Sequence, residues 1–147
     1  MVCLPALALL LALLPGVAMA VDDASARISI VLGERGIEAV ARGDLAGAQR
    51  LFERAIVANP ANAPAYAHLG AVHHATGDVR LARKYFGIAL SIDPTELDAL
   101  SGLARLDIAE GNRDAAAERL RVLRIHCESC EQTRDIARML ESGPGAP

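Results

Sequence analysis

The chain has no tryptophan, and its aromatic residues are limited to two phenylalanines and two tyrosines. That scarcity excludes an aromatic platform of the kind that stacks unpaired bases, and it argues against a sheet core built on large rings. Neither sign of charge dominates. Lysine and arginine number 15 and aspartate and glutamate 18, for a net charge of -3, so nucleic acid or an anionic membrane surface finds no electrostatic attraction. Opposite charges alternate instead, as in Glu53-Arg54 and Arg113-Asp114, the pattern of solvated helix faces. Paired carboxylates and a nucleophile elbow are missing too. Gly33, Gly36 and Gly43 follow no strand, so they do not form a phosphate loop. These absences predict a protein that is not an enzyme and holds no cofactor. What is abundant is alanine and leucine, which suit closely packed helices.

Residues 63–96 show how those helices are arranged. Tyr66, Leu69, Gly70 and His73 recur at helical spacing, and so do Ala82, Phe86, Ala89 and Leu90, with Gly77-Asp78 between the two sets and Asp93-Pro94 after them. The pattern predicts two amphipathic helices joined by a tight turn. Gly70, Ala82 and Ala89 are small where two helix axes must approach, and a larger side chain would force them apart. One helix pair cannot bury both of its faces, so the unit calls for neighbours.

Tyr66, Leu69-Gly70, His73, Ala82, Phe86, Ala89 and Pro94 stand in the order and spacing of the tetratricopeptide repeat, a unit of about 34 residues. The chain resembles that family, with His73 in place of the usual tyrosine. The pattern recurs on either side. Gly43-Asp44, Ala48, Phe52, Ala55 and Pro60 repeat it upstream, where Leu32 and Gly36 are in place but Arg35 stands where leucine belongs. Downstream it continues through Leu100, Leu103, Ala104, Asp107, Gly111-Asn112, Ala116 and Leu120, and then fades as Leu123 stands for alanine and Glu128 for proline. Thr95 with Asp98, and Ser129 with Gln132, read as capping boxes opening the next helices. The resemblance implies an all-α fold, a right-handed α-solenoid of three helix-turn-helix repeats at 29–62, 63–96 and 97–128. A capping helix at 129–141 follows, with Ile136, Ala137 and Leu140 buried and Arg134, Asp135 and Arg138 facing water, and then a disordered tail at 142–147.

The first twenty residues carry no charged side chain. An apolar run from Leu4 to Leu14 ends at Pro15-Gly16, and Ala18-Met19-Ala20 is a small-x-small cleavage site. We read 1–20 as a signal peptide cleaved after Ala20, although it lacks a basic n-region. Residues 21–28 are then a short N-terminal segment, and the protein is expected to be periplasmic or secreted, an exported bacterial type. The run is short for a membrane-spanning helix, so no integral membrane segment is expected after cleavage.

Cys127-Glu128-Ser129-Cys130 is the one chemically pointed motif. A structural disulfide between Cys127 and Cys130 is the favoured reading for an exported chain, pinning the last repeat to the capping helix. A redox-active pair and a metal site with His126 compete with it. Haem is discarded because Glu131, not histidine, follows the second cysteine. His73 is expected to be a core residue. His68 and His74 are six positions apart, which does not place them together as metal ligands.

The resemblance also implies a groove lined by the first helix of each repeat. Its positions fall on Ile30, Gly33, Ile37 and Val40, then Ala67, His68, Ala71 and His74, then Ser101, Arg105 and Ile108. Relatives that clamp the C-terminal carboxylates of chaperones place lysines and asparagines at several of these positions, and this chain does not. Such a face fits a protein or peptide partner held mainly by packing. The expected function is a non-enzymatic interaction scaffold in envelope or secretion-related assembly. A thiol–disulfide redox protein using Cys127 and Cys130 is the alternative.

Overall fold

The computed structural model describes the backbone of residues 15–142 and the side chains of 23–142. The apolar run at 4–14, Cys3 and the tail at 143–147 lie outside the described residues. The architecture is all-α. Its helices are α1 Pro15–Ala41, α2 Leu45–Ala58, α3 Ala63–Ala75, α4 Val79–Ile92, α5 Leu97–Ala109, α6 Arg113–His126 and α7 Glu131–Glu141. They pack as the pairs α1/α2, α3/α4 and α5/α6, each stacked on the next, with α7 against both α5 and α6. Residues 21–28 are part of α1, which also runs through Gly33 and Gly36 without a break.

Each pair turns through a glycine in the left-handed region, with φ of 77° at Gly43, 86° at Gly77 and 82° at Gly111. A side chain with a Cβ is strained there. Asp44 and Asp78 then cap the following helices, accepting from the amides of Gly47 at 2.7 Å and Leu81 at 2.9 Å. The two expected capping boxes do not form. Asp93, just before Pro94, captures both the amide and the hydroxyl of Thr95, so α5 is capped one residue later by Glu96, which accepts from the Asp98 amide at 3.4 Å. At α7 the cap position is Cys130 rather than Ser129. The turn before it is closed by the Thr133 hydroxyl, which donates to the Cys127 carbonyl at 2.6 Å.

The core repeats one contact. Phe52, Phe86 and Leu120 stand one repeat apart on α2, α4 and α6, and all three are buried. Phe86 lies between Gly70 of its own pair and Gly102 of the next. A Cβ built on either glycine would stand 2.8 Å or 2.4 Å from the ring. Phe52 likewise faces Gly36, where a Cβ would lie 2.5 Å from the ring, and on its other side stacks with His68, the centroids 5.2 Å apart. Leu120 belongs to the cluster holding Ala104 and Ile136. A second slot varies its chemistry from repeat to repeat. His73 stacks on Tyr85 at 5.2 Å, as its expected core role requires. One repeat on, the same slot holds an ion pair, with Asp107 Oδ2 2.8 Å from Arg119 Nη1. Asp107 is 2 % exposed and also accepts from Arg83 Nη1 of α4 at 2.9 Å, while Arg83 Nη2 lies 2.9 Å from Glu110. This network ties α4, α5 and α6 together.

The ends of the array differ from its middle. Ala65, Leu69 and Val72 are buried against the first pair, as Ala99, Leu103 and Leu106 are against the second. The corresponding positions of α1 are Val31, Arg35 and Glu38, all exposed. Arg35 therefore replaces leucine because no described helix stacks on that face. At the other end α7 buries Ile136 completely and half-buries Ala137 and Leu140. Arg134 and Arg138 face water, but Asp135 does not stand clear as expected, because it is half-buried against Arg105.

Gly70→Leu is expected to lower the melting temperature substantially. Overpacking costs about 1–3 kcal/mol, against a gain in helix propensity of at most about 1 kcal/mol. The Phe86 ring cannot retreat, since Gly102 closes its other side. An unchanged or higher melting temperature would contradict this packing.

Candidate functional site

The first helices of the pairs expose a surface that runs along α1, α3 and α5 to α7. Three cavities lie on it. One of about 150 Å³ is apolar, between Ile37, Val40, Leu45, Phe52 and Ala71. A second of about 220 Å³ lies toward the start of α3, beside Ile30, Gly33, Glu34 and Pro64. The third, of about 340 Å³, is polar, with Asp98, Ser101, Arg105, Glu131 and Gln132 around the Phe86–Gly102 contact. His68 borders all three. Together they form one groove, apolar at the α1 end and polar at the α7 end.

Most of the positions expected to face a groove are there. Ile37 and Val40 are 49 % and 42 % exposed, Ala71 and His74 are exposed, and Ser101 is buried at the floor of the polar cavity. Arg105 is exposed at its rim and donates to Asp135 Oδ2 at 3.1 Å. Two positions need correction. Ala67 is fully buried in the core with Ala82, Phe86 and Ala99, because α4 and α5 close over that side of α3. Ile108 is half-buried against the cluster around Leu120 and Ile136, where α7 covers it.

Four polar groove residues were missed: Glu34, Asp98, Glu131 and Gln132. Local spacing alone places Asp98 and Gln132 in capping boxes. Instead they meet each other, Gln132 Nε2 donating to Asp98 Oδ1 at 2.7 Å across 34 positions of sequence. The repeat register could have found them, since both stand one repeat-length apart on equivalent helix positions.

Cys127 ends α6 and Cys130 begins α7, and in the structure both are free thiols rather than the expected disulfide. Cys130 Sγ donates to the Cys127 carbonyl at 3.1 Å and lies 3.4 Å from Thr133 Oγ1. Burial opposes its ionisation, but hydrogen bonds with the Cys127 thiol and Thr133 outweigh that and pull the Cys130 thiol below its usual range. The Cys127 thiol is pushed up, first by its bond to Cys130 and then by desolvation.

His68 sits at the junction of the cavities with its ring on Phe52. Burial holds its pKa below the ordinary 6.5, and the nearby Asp98 carboxylate opposes that only in part. Above that ordinary value the imidazole is neutral in both folded and unfolded chains. As pH falls below it, the unfolded chain takes up a proton that the folded chain resists, so stability is lost. Between about pH 7 and pH 5 the melting temperature of His68→Gln is expected to fall less than that of the unaltered chain. Equal slopes in thermal melts would show that the site does not discriminate against the imidazolium.

Residues 39–87 and 74–126 match the tetratricopeptide repeat profile. The fold is similar to the Arabidopsis OM64 TPR domain, with a TM-score of 0.71 and 19% identity over 82% of this chain and 99% of that one. It is similar also to the first TPR of Spaghetti (RPAP3) bound to the HSP90 peptide SRMEEVD, with a TM-score of 0.71 and 14% identity over 80% of this chain and 96% of that one. A third similar structure is the second TPR domain of human RPAP3 in complex with the HSP70 peptide SGPTIEEVD, at a TM-score of 0.65, 17% identity, and 82% and 98% coverage. Comparison with curated proteins gave no match. The profile spans more than half of the sequence, and the chain belongs to the tetratricopeptide repeat family.

Proposed function

We propose that this chain is a non-enzymatic scaffold whose groove holds an extended segment of a partner protein. The observation that carries the reading is the continuous groove with apolar side chains left open along it, Ile30, Ile37 and Val40 being 57 %, 49 % and 42 % exposed. Covering them with a partner's apolar side chains removes surface from water that folding alone leaves wet. The similar structures bound to HSP90 and HSP70 peptides support the same use of the fold. A random peptide display library panned on the immobilised chain tests it. Peptides enriched on the chain are expected to bind Val40→Glu at least about tenfold more weakly, since a solvated carboxylate there would be buried without a counter-charge under an apolar side chain. Equal binding to both, with melts showing both folded, would remove the groove from the reading.

The proposal extends to export and assembly in the cell envelope. Its support is the Ala18-Met19-Ala20 site after the apolar run. Among the described residues no helix is long and apolar enough to cross a membrane. A thiol–disulfide activity is the second reading, favoured by the adjacent free thiols and the lowered pKa of Cys130. One measurement addresses both points. The intact mass of protein from an exporting bacterial host, after alkylation without reductant, is expected to place the N-terminus at Val21 and to show Cys127 and Cys130 unalkylated, the two adjacent thiols having been oxidised to a disulfide in the exporting compartment. A mass retaining Met1 would overturn cleavage after Ala20 and leave an uncleaved anchor as the reading of that segment. Two alkylated thiols would overturn the structural disulfide and leave the redox reading to be followed by its potential.

A further inference from the structure

The groove has a charge sign as well as a shape. Its polar end carries the carboxylates of Asp98 and Glu131, and Glu34 stands at its α1 rim. Among the residues lining the three cavities, Arg105 is the one arginine or lysine. It pairs with Asp135, 3.1 Å away on α7, a carboxylate that Arg138 also reaches, while Arg134 and Arg138 line the next depression along α7. Within the three cavities themselves the carboxylates of Glu34, Asp98 and Glu131 outnumber that one arginine. Asp98 accepts from Gln132 through Oδ1, and a carboxylate has about four acceptor sites, so a further donor can be received there. At the other end, Ile37, Val40 and Ala71 offer only apolar surface.

We infer that the groove selects an extended peptide segment in which a lysine or arginine stands close to a cluster of apolar side chains. The cation lies at Asp98 and Glu131, and the apolar cluster fills the cavity beside Ile37, Val40 and Ala71. This rests on the groove reading above and gives its partner a chemistry. Acidic peptides such as the SRMEEVD carried by one of the similar structures would bring like charge to these carboxylates, and juxtaposed like charges suppress the wrong partner.

The peptides enriched by panning decide it. The chain should enrich sequences with lysine or arginine beside leucine, isoleucine, valine or phenylalanine. Fluorescein-labelled copies of these peptides, titrated by fluorescence anisotropy, should bind more weakly as sodium chloride is raised. Asp98→Asn combined with Glu131→Gln should weaken binding by about tenfold or more. Because Asp98 also receives Gln132, Glu131→Gln alone, at an exposed position, is measured beside it and should show a smaller loss with unchanged melting. Enrichment of acidic peptides, or of uncharged apolar peptides whose affinity ignores both salt and these substitutions, would overturn the charge inference and leave the groove intact. A library that enriches nothing on the chain beyond what it enriches on Val40→Glu would overturn both.

Discussion

A ring seated between glycines is the contact on which the rest of the structure depends. Phe86 fills the space between α3, α4 and α5, and it fits because Gly70 and Gly102 have no Cβ to put in its way. A close-packed interior responds to a single added carbon, so this contact sets the separation of three helices at once. Phe52 does the same one repeat earlier, with Gly36 on one side and the flat imidazole of His68 on the other. At the last step Leu120 with Ala104 and Ile136 replaces the aromatic arrangement. The array is therefore held at one packing position filled three times, twice linking a helix pair to the next and once linking the last pair to α7.

The same contact shapes the surface. Because the residue that meets Phe52 from α3 is His68 and the one that meets Phe86 from α5 is Gly102, the groove is filled at one step and open at the next. The polar cavity lies where Gly102 leaves room. His68, pressed onto Phe52, joins the cavities, and its burial holds its pKa below the ordinary value. Packing and binding surface are thus two sides of a single register.

The terminal helix has more than one task. It covers the last apolar face through Ile136, contributes Glu131 and Gln132 to the groove, and sends Asp135 to Arg105. Its start is set by Cys130 and Thr133 at the turn from α6. Anything that repositions this turn would move the acidic wall of the groove. The Asp107 network, centred on that buried carboxylate between α4, α5 and α6, fixes the third pair to the second.

The sequence by itself determined the repeat. Glycine-acid turns, small residues at helix crossings and one large residue per second helix are local signals, each tied to a backbone or packing constraint, and they recur at a fixed period. The three pairs, the terminal helix, the core place of His73 and the outward stretch Ile37, Val40, Ala71 and His74 were legible for that reason. What the tertiary structure alone decided is which polar side chains partner which. Asp98 and Gln132 fit a helix cap on local spacing, yet each is drawn to the other between α5 and α7, and Asp93 takes the hydroxyl that Thr95 would have used. Asp107 looked like one more position of a helix until three elements closed around it and two arginines reached it. Ala67 and Ile108 followed the groove register but lie under neighbouring helices. Periodicity says which side of a helix a residue is on, while the angle at which the next helix crosses decides whether that side meets water or protein.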